Sequence, residues 1–376
     1  MARSSSAQLA RFTVTVVGLA ILSSILLTQA ATVRGLATPT PLRVVTSAPA
    51  WTVTPLAAPD ETLQKLGEDI YAYLRVRGFR PGTKAQGAAF VMSLRTGQAI
   101  TVDPDVAFSA ASLSKILILV SLYRKLSQPP TRHEAALIAG MMVCSKNDDA
   151  NEILSILGGG DRDRGTAYVT ETAQRLGLTH TLMARSFYMP VFTPTPVPAT
   201  PYTPPSTGID QRSAQPDPFN QTTPADLGWL LAGLYRCAVD GSGPITAVYP
   251  GELTMAECRQ VVQVMLANRI QVMIEAGVPD GIPVAHKHGW VEDTHGDAAL
   301  VFTPGGDYVL VVILHNKSVL TSGVSYTTVA EISRMTYNAF NPSQPLEAAH
   351  TRSIPACAIG ADLVRSLQSP DAPPIP

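Results

Sequence analysis

Between residues 60 and 77 the apolar positions Leu63, Leu66, Ile70 and Leu74 recur at helical spacing, with Asp60 placed as an N-cap and Gly78 just past the end. The period then shortens to that of strands over residues 88–94 and 98–102, around a turn that contains Gly97. Residues 112–126 form the most apolar run of the domain. Leu113, Ile116, Leu117, Ile118, Leu119, Val120 and Leu122 cover nearly every face before Pro129 and Pro130 stop it, which predicts a buried central helix. Helices over 134–143, 149–157 and 166–176 follow, the second closed by Gly158-Gly159-Gly160 and the third by Gly177. Thr222-Thr223-Pro224-Ala225-Asp226 reads as a cap and first turn of a helix to about Arg236, and another helix covers 254–270. Three strand-like runs, 283–290, 298–303 and 308–315, precede a last helical stretch at 322–340.

This order predicts an α+β fold: a five-stranded antiparallel sheet made from both chain ends, flanked by helices, with an all-α lobe inserted between them. The folded domain is expected over residues 60–341, interrupted by a Pro/Thr-rich insertion at 187–219, with a disordered tail at 342–376. Residues 12–31 carry no charge and lie between Arg11 and Arg34. Residues 1–31 therefore read as a secretory signal, with Thr28 and Ala30 offering a cleavage site, or as an uncleaved membrane anchor about 20 residues long. A tether rich in Ala, Thr, Val and Pro occupies 32–59.

Composition fits this layout. Hydrophobic residues make up 45% of the 376, enough for a sizeable core, whereas 31 prolines are too many for one compact unit, so some of them sit in linkers. A net charge of −1 supplies no basic field, which argues against nucleic acid and leaves room for a small neutral or anionic ligand. Export would permit disulfides among Cys144, Cys237, Cys258 and Cys357. Cys237 with Cys258 is the preferred pair because both flank a short helix-to-helix connection, and Cys144 reads as a small buried hydrophobe.

Ser112-Leu113-Ser114-Lys115 is the chain's one Ser-x-x-Lys element, and it opens the most buried helix. Helical spacing puts hydroxyl and amine on one face, apolar surroundings lower the amine's pKa, and the helix N-terminus offers N–H groups to an oxyanion. Ser145-Lys146-Asn147 supplies a hydroxyl to pass a proton and an amide to hold a carbonyl, on a turn between helices. Lys287-His288-Gly289 lies in a strand, where lysine would bind a carboxylate and support Ser145, and glycine would admit a ligand to the backbone.

Together these elements resemble the class A β-lactamase family, whose Ser-x-x-Lys, Ser-Asp-Asn and Lys-Thr-Gly motifs occur in this order. The resemblance spans residues 60–340 and is reinforced by Asn151, Leu154, Thr222-Thr223-Pro224 and Val284-Ala285-His286. It implies the β-lactamase/transpeptidase sandwich, no cofactor, and a β-lactam or cell-wall peptide as substrate. By similarity Ser112 is the acylated nucleophile, Lys115 its base, Ser145 a proton relay and Asn147 a contact to the substrate amide. Lys287 and His288 would face the substrate carboxylate, and the N–H groups of Ser112 and Trp290 would form the oxyanion hole. Lys146 departs from the family's Asp, and His288 from its Thr or Ser, which makes the carboxylate contact an imidazole open to pH dependence. The family's deacylating glutamate has no counterpart, since no Glu lies between Glu171 and Glu252 and Glu171 falls too early, in a helix. Slow deacylation is expected, unless Asp210, Asp217 or Lys115 serves instead. Two rivals are a metal site on His286, His288 and His295 and a non-catalytic module that binds cell-wall peptide or a protein partner.

Overall fold

The computed structural model describes residues 58–187 and 209–376. The signal or anchor segment, all but the end of the tether, and residues 188–208 of the insertion lie outside them. Among the described residues no helix is long and apolar enough to cross a membrane.

Asp60 caps α1 (Glu61–Val76) by accepting from Leu63 N, and the helix buries the four apolar positions named above. Strands β1 (Ala85–Ser93) and β2 (Ala99–Val102) form the hairpin. A two-residue strand β3 (Phe108–Ser109) and a 3-10 turn (Ala111–Ser114) lead into α2 (Lys115–Lys125), followed by α3 (Arg132–Val143), α4 (Asn147–Leu157) and α5 (Arg162–Arg175). Beyond β4 (Leu182–Met183) and β5 (Asn220–Thr222) come α6 (Pro224–Asp240), capped by Thr223 with Pro at its first turn, then α7 (Pro244–Val248) and α8 (Met255–Leu266). Strands β6 (Val284–Trp290), β7 (Thr294–Val301) and β8 (Tyr308–Asn316) and the helix α9 (Ser322–Phe340) complete the main body.

The five-stranded sheet runs in the order β2-β1-β8-β7-β6, antiparallel throughout, so strands from both chain ends meet at the β1–β8 pair. Side chains alternate across it. Phe90, Val311, Ile313 and Leu300 enter the core shared with the helical lobe, while Val91, Leu310, Val312 and Val301 enter a second core against α1 and α9. Each such buried aliphatic or aromatic group contributes about 1.5–3 kcal/mol, which makes register strongly specified. Strand β6 is an edge, open toward the helical lobe.

Several expectations need correction. The central helix begins as a 3-10 turn, and only at Lys115 becomes α-helical. The strand expected at 298–303 starts at Thr294, because β7 pairs along the whole of β6, with Trp290 opposite His295. The helix expected to reach Ile270 stops at Leu266. A second sheet, β3-β5-β4, was hidden in strands too short to show a period. The end of the insertion folds back on it: Asp210 bridges Val106, and Asp217 N donates to Ser109 Oγ.

The tail expected to be disordered is ordered. It carries α10 (Ala361–Ser366), buries Leu367 in the helical-lobe core, and joins Cys357 to Cys144. Cys144 is thus not a free buried thiol; long-range pairing had no local signal. Cys237 and Cys258 form the second disulfide across the α6–α8 connection. Two disulfides fit an extracytoplasmic compartment. Peptide mapping without reductant should recover both pairs. Replacing Cys237 and Cys258 by Ala should cost about 3 kcal/mol in urea unfolding, the loop-closure entropy of so short a ring.

Candidate active site

A 3-10 turn holds three residues per turn, so Ser112 and Lys115 stand one above the other. Lys115 Nζ lies 3.1 Å from Ser112 Oγ, 2.8 Å from Asn147 Oδ1 and 2.5 Å from Ser145 O. The side chain is fully buried. Burial lowers its pKa to about 7 against the opposing pull of Asp149. A neutral amine has two N–H groups and one lone pair. The two fixed acceptors, Ser145 O and Asn147 Oδ1, take the N–H groups, which leaves the lone pair for the Ser112 proton.

Two strained positions hold this arrangement. Ala111 (φ 47°) and Ser145 (φ 55°) occupy the left-handed region, at a cost of about 1–3 kcal/mol each. Ala111 is fixed by Asn220, whose side-chain Nδ2 donates to Ala111 O at 3.0 Å while its backbone carbonyl accepts from Ala110 N at 2.9 Å. Ser145 is fixed by Lys115 and by the neighbouring bond from Lys146 N to Gly140 O.

Strand β6 closes the site from the other side. Lys287, also fully buried, donates to Ser145 Oγ at 2.9 Å and to His288 O at 2.8 Å; burial, then the charge of Lys115, pushes its pKa well down. Gly289 lies against the nucleophile's turn, where a Cβ would come within 2.9 Å of both Ser112 N and Leu113 N. Only glycine permits that approach. Ser112, Ser145, Asn147, His288, Gly289 and Trp290 line a cavity of about 500 Å³ with Lys115 and Lys287 beside it, so the structure brings together the residues expected from the sequence to be catalytic or substrate-binding.

The two strand histidines differ in charge. His286 Nδ1 meets Asp297 Oδ1 at 2.9 Å and its Nε2 meets Asn268 O at 2.8 Å, with Glu275 Oε2 at 3.5 Å. Both partners are acceptors, so both nitrogens carry protons and no lone pair remains for a metal. Burial opposes the charge, but Asp297 and Glu275 outweigh it and raise the pKa to about 10. His288 is buried and stacked on Trp290 at 4.4 Å. Burial, with the positive charge of Lys287, His286 and Lys115, lowers its pKa, so it is neutral. Asn268 Nδ2 donates to His286 O and lies 3.3 Å from His288 Nδ1, which puts the ring proton on Nε2. The pH-dependent imidazole expected from the sequence is replaced by a constant neutral donor. His295 pairs with Ser325 Oγ, and no group of three metal-ligating side chains occurs among the described residues.

Sequence reasoning took Phe187 for the start of the insertion. Its ring instead covers Lys115, 4.7 Å from Nζ, while its backbone N–H and C=O are both held by the Asn151 side chain, at 2.9 and 3.0 Å. Glu171 pairs with Arg124 and Arg175 on α5. Asp210 and Asp217 cap local turns, at Arg212 and Ser213 and at Phe219. Arg269 and the chain around Cys357 also reach the cavity, and nothing local in the sequence marked them.

Residues 135–340 match the model of the Beta-lactamase enzyme family. No curated protein sequence matches. Solved structures share the fold. One is a single-site mutant of PBP-A described as an acyl-enzyme complex with penicillin G, 19% identical, covering 74% of this chain and 97% of its own, with a TM-score of 0.54. PBP-A itself is 20% identical over 77% of this chain and 100% of its own, at the same TM-score of 0.54. An ancestral class A β-lactamase (GNCA) is 21% identical over 73% and 99%, again at 0.54.

The raised pKa of His286 has a sign. Its stabilising contribution is complete below the unfolded value of 6.5 and is lost as pH climbs through about 10. Urea midpoints should therefore fall from pH 6 to pH 10, and His286→Gln should flatten the slope; an unchanged slope in the variant would discard the assignment.

Proposed function

The chain belongs to the Beta-lactamase enzyme family, and on that premise we propose that it is a serine hydrolase acylated at Ser112 by β-lactams or related amides, with slow deacylation. One observation carries the reading: the Lys115 amine, dehydrated and lowered to about 7, lies 3.1 Å from the Ser112 hydroxyl. Lys115 takes the proton as Ser112 Oγ attacks the carbonyl. The N–H groups of Ser112 and Trp290 receive the oxyanion. Ser145, bridged to both lysines, hands a proton to the leaving nitrogen and is resupplied from Lys115 or Lys287. Asn147 has its oxygen engaged by Lys115, so its NH₂ is the group that faces a substrate carbonyl. Lys287 and the Nε2–H of His288 meet the substrate carboxylate.

Slow deacylation follows from Phe187. An apolar ring covers Lys115 where a water would otherwise be activated, and it has no proton to give or take. The likeness to a PBP-A mutant described as an acyl-enzyme complex with penicillin G supports a lasting adduct. Export to the cell envelope or medium, through residues 1–31 as signal or anchor, completes the reading.

Incubation of the protein with a fluorescent penicillin should give an intact-mass adduct absent from Ser112→Ala. No adduct in either protein would favour a non-catalytic module; rapid turnover would refute slow deacylation. The acylation rate should rise with pH through about 7 as Lys115 loses its proton. Phe187→Glu should shorten the adduct's lifetime by about a hundredfold, the typical gain from a placed general base.

A further inference from the structure

One wall of the Ser112 cavity comes from neither the sheet nor the helical lobe. Ile354, Pro355, Ala356, Cys357 and Ala358 line it, all of them exposed and outside any helix or strand. The chain reaches this wall from the sheet side. There Arg334 and Asn338 of α9 hold Leu346 O, His350 N donates to Ala276 O at 2.7 Å, and Arg352 pairs with Asp280. It leaves on the helical side, where Leu367 is buried and Gln260 of α8 donates to Ser369 O at 2.5 Å. Between these anchorages residues 354–358 border the cavity, and Ile359, Leu363 and Val364 then pack on the helical-lobe core. The segment's one covalent hold is the bond from Cys357 to Cys144, the residue immediately before Ser145.

We propose that this disulfide-held strap sets specificity at the leaving-group end of the site, admitting substrates that terminate inside the cavity and excluding those whose chain continues past Ser145. The inference rests on the acyl-transfer reading, in which Ser145 serves the leaving group. The strap's side chains are apolar and Cys357 is bonded to the residue before Ser145, so a leaving group that continues past Ser145 meets the strap itself. A terminus is met differently. Arg269 shares the same wall, 59% exposed, with Nε on Glu275 Oε1 at 2.7 Å and its terminal nitrogens without a further protein partner among the described residues. They suit a terminal carboxylate, which they would share with the Nε2–H of His288 in the same cavity.

The test uses two thioesters with one acyl group. One leaves as thioglycolate, with a free carboxylate; the other leaves as the same thiol extended by a two-residue amide. Wild-type protein should acylate from the short ester about a hundredfold faster, and the ratio should collapse to within about fivefold in Cys357→Ser. Mild reduction of wild type should do the same, because Cys357 is exposed whereas Cys237 and Cys258 are fully buried. A ratio unchanged by both treatments, or wild type taking both esters equally, overturns the proposal. Calorimetric binding of the two esters to Ser112→Ala, with the disulfide intact and reduced, needs no acylation. A preference that vanishes on reduction upholds the strap even if Ser112 never reacts, which would sink the acyl-transfer reading alone; no preference sinks the strap.

Discussion

Removing an ammonium group from water costs several kcal/mol unless protein atoms replace the lost solvent, and the site is arranged around that penalty at Lys115. The replacements come from separate parts of the chain: Ser112 from the turn before α2, Ser145 and Asn147 from the turn before α4. They are enough to hold the amine in one orientation and too few to restore its ordinary basicity, which is why it settles at about 7. Because two of its neighbours already accept its N–H groups, the same packing that lowers the pKa also aims the lone pair at Ser112. Basicity and geometry are one consequence of burial.

A second lysine sharpens the constraint. Lys287 approaches Ser145 from the edge strand, and its burial, with the charge of Lys115, disfavours its own protonation. The strand that brings it must lie close to the helical lobe, and Gly289 is what permits the contact. Behind that strand, the buried His286 imidazolium between Asp297 and Asn268 O ties β6 to β7 and to the segment after α8. His288, two residues along, is buried without a carboxylate partner and lies near the His286 imidazolium, so it stays neutral. Identical side chains on one strand differ in charge because their partners differ.

The site is covered by apolar groups on two sides: Phe187 lies over Lys115, and the Cys357 strap borders the Ser145 end. Both come from segments whose composition looked like linker.

Local spacing determined a good deal. Ser322–Phe340 was predicted to the residue, α1 and its Asp60 cap were evident, and the strand-like runs at both chain ends announced a five-stranded antiparallel sheet flanked by helices. Three short motifs named part of the lining of the cavity, because a turn that must place a hydroxyl beside an amine constrains its own few residues. Tertiary structure decided what depends on distant partners. The charge of His286 rests on Asp297 and Glu275, the neutrality of His288 on its burial among positive groups, and the place of Phe187 on Asn151. The pairing of Cys144 with Cys357, 213 residues apart, turned an expected disordered tail into a wall of the cavity. Periodicity reports which face of an element is buried; it carries no information about what that face meets, and it is the meeting that sets charge, proton position and reach.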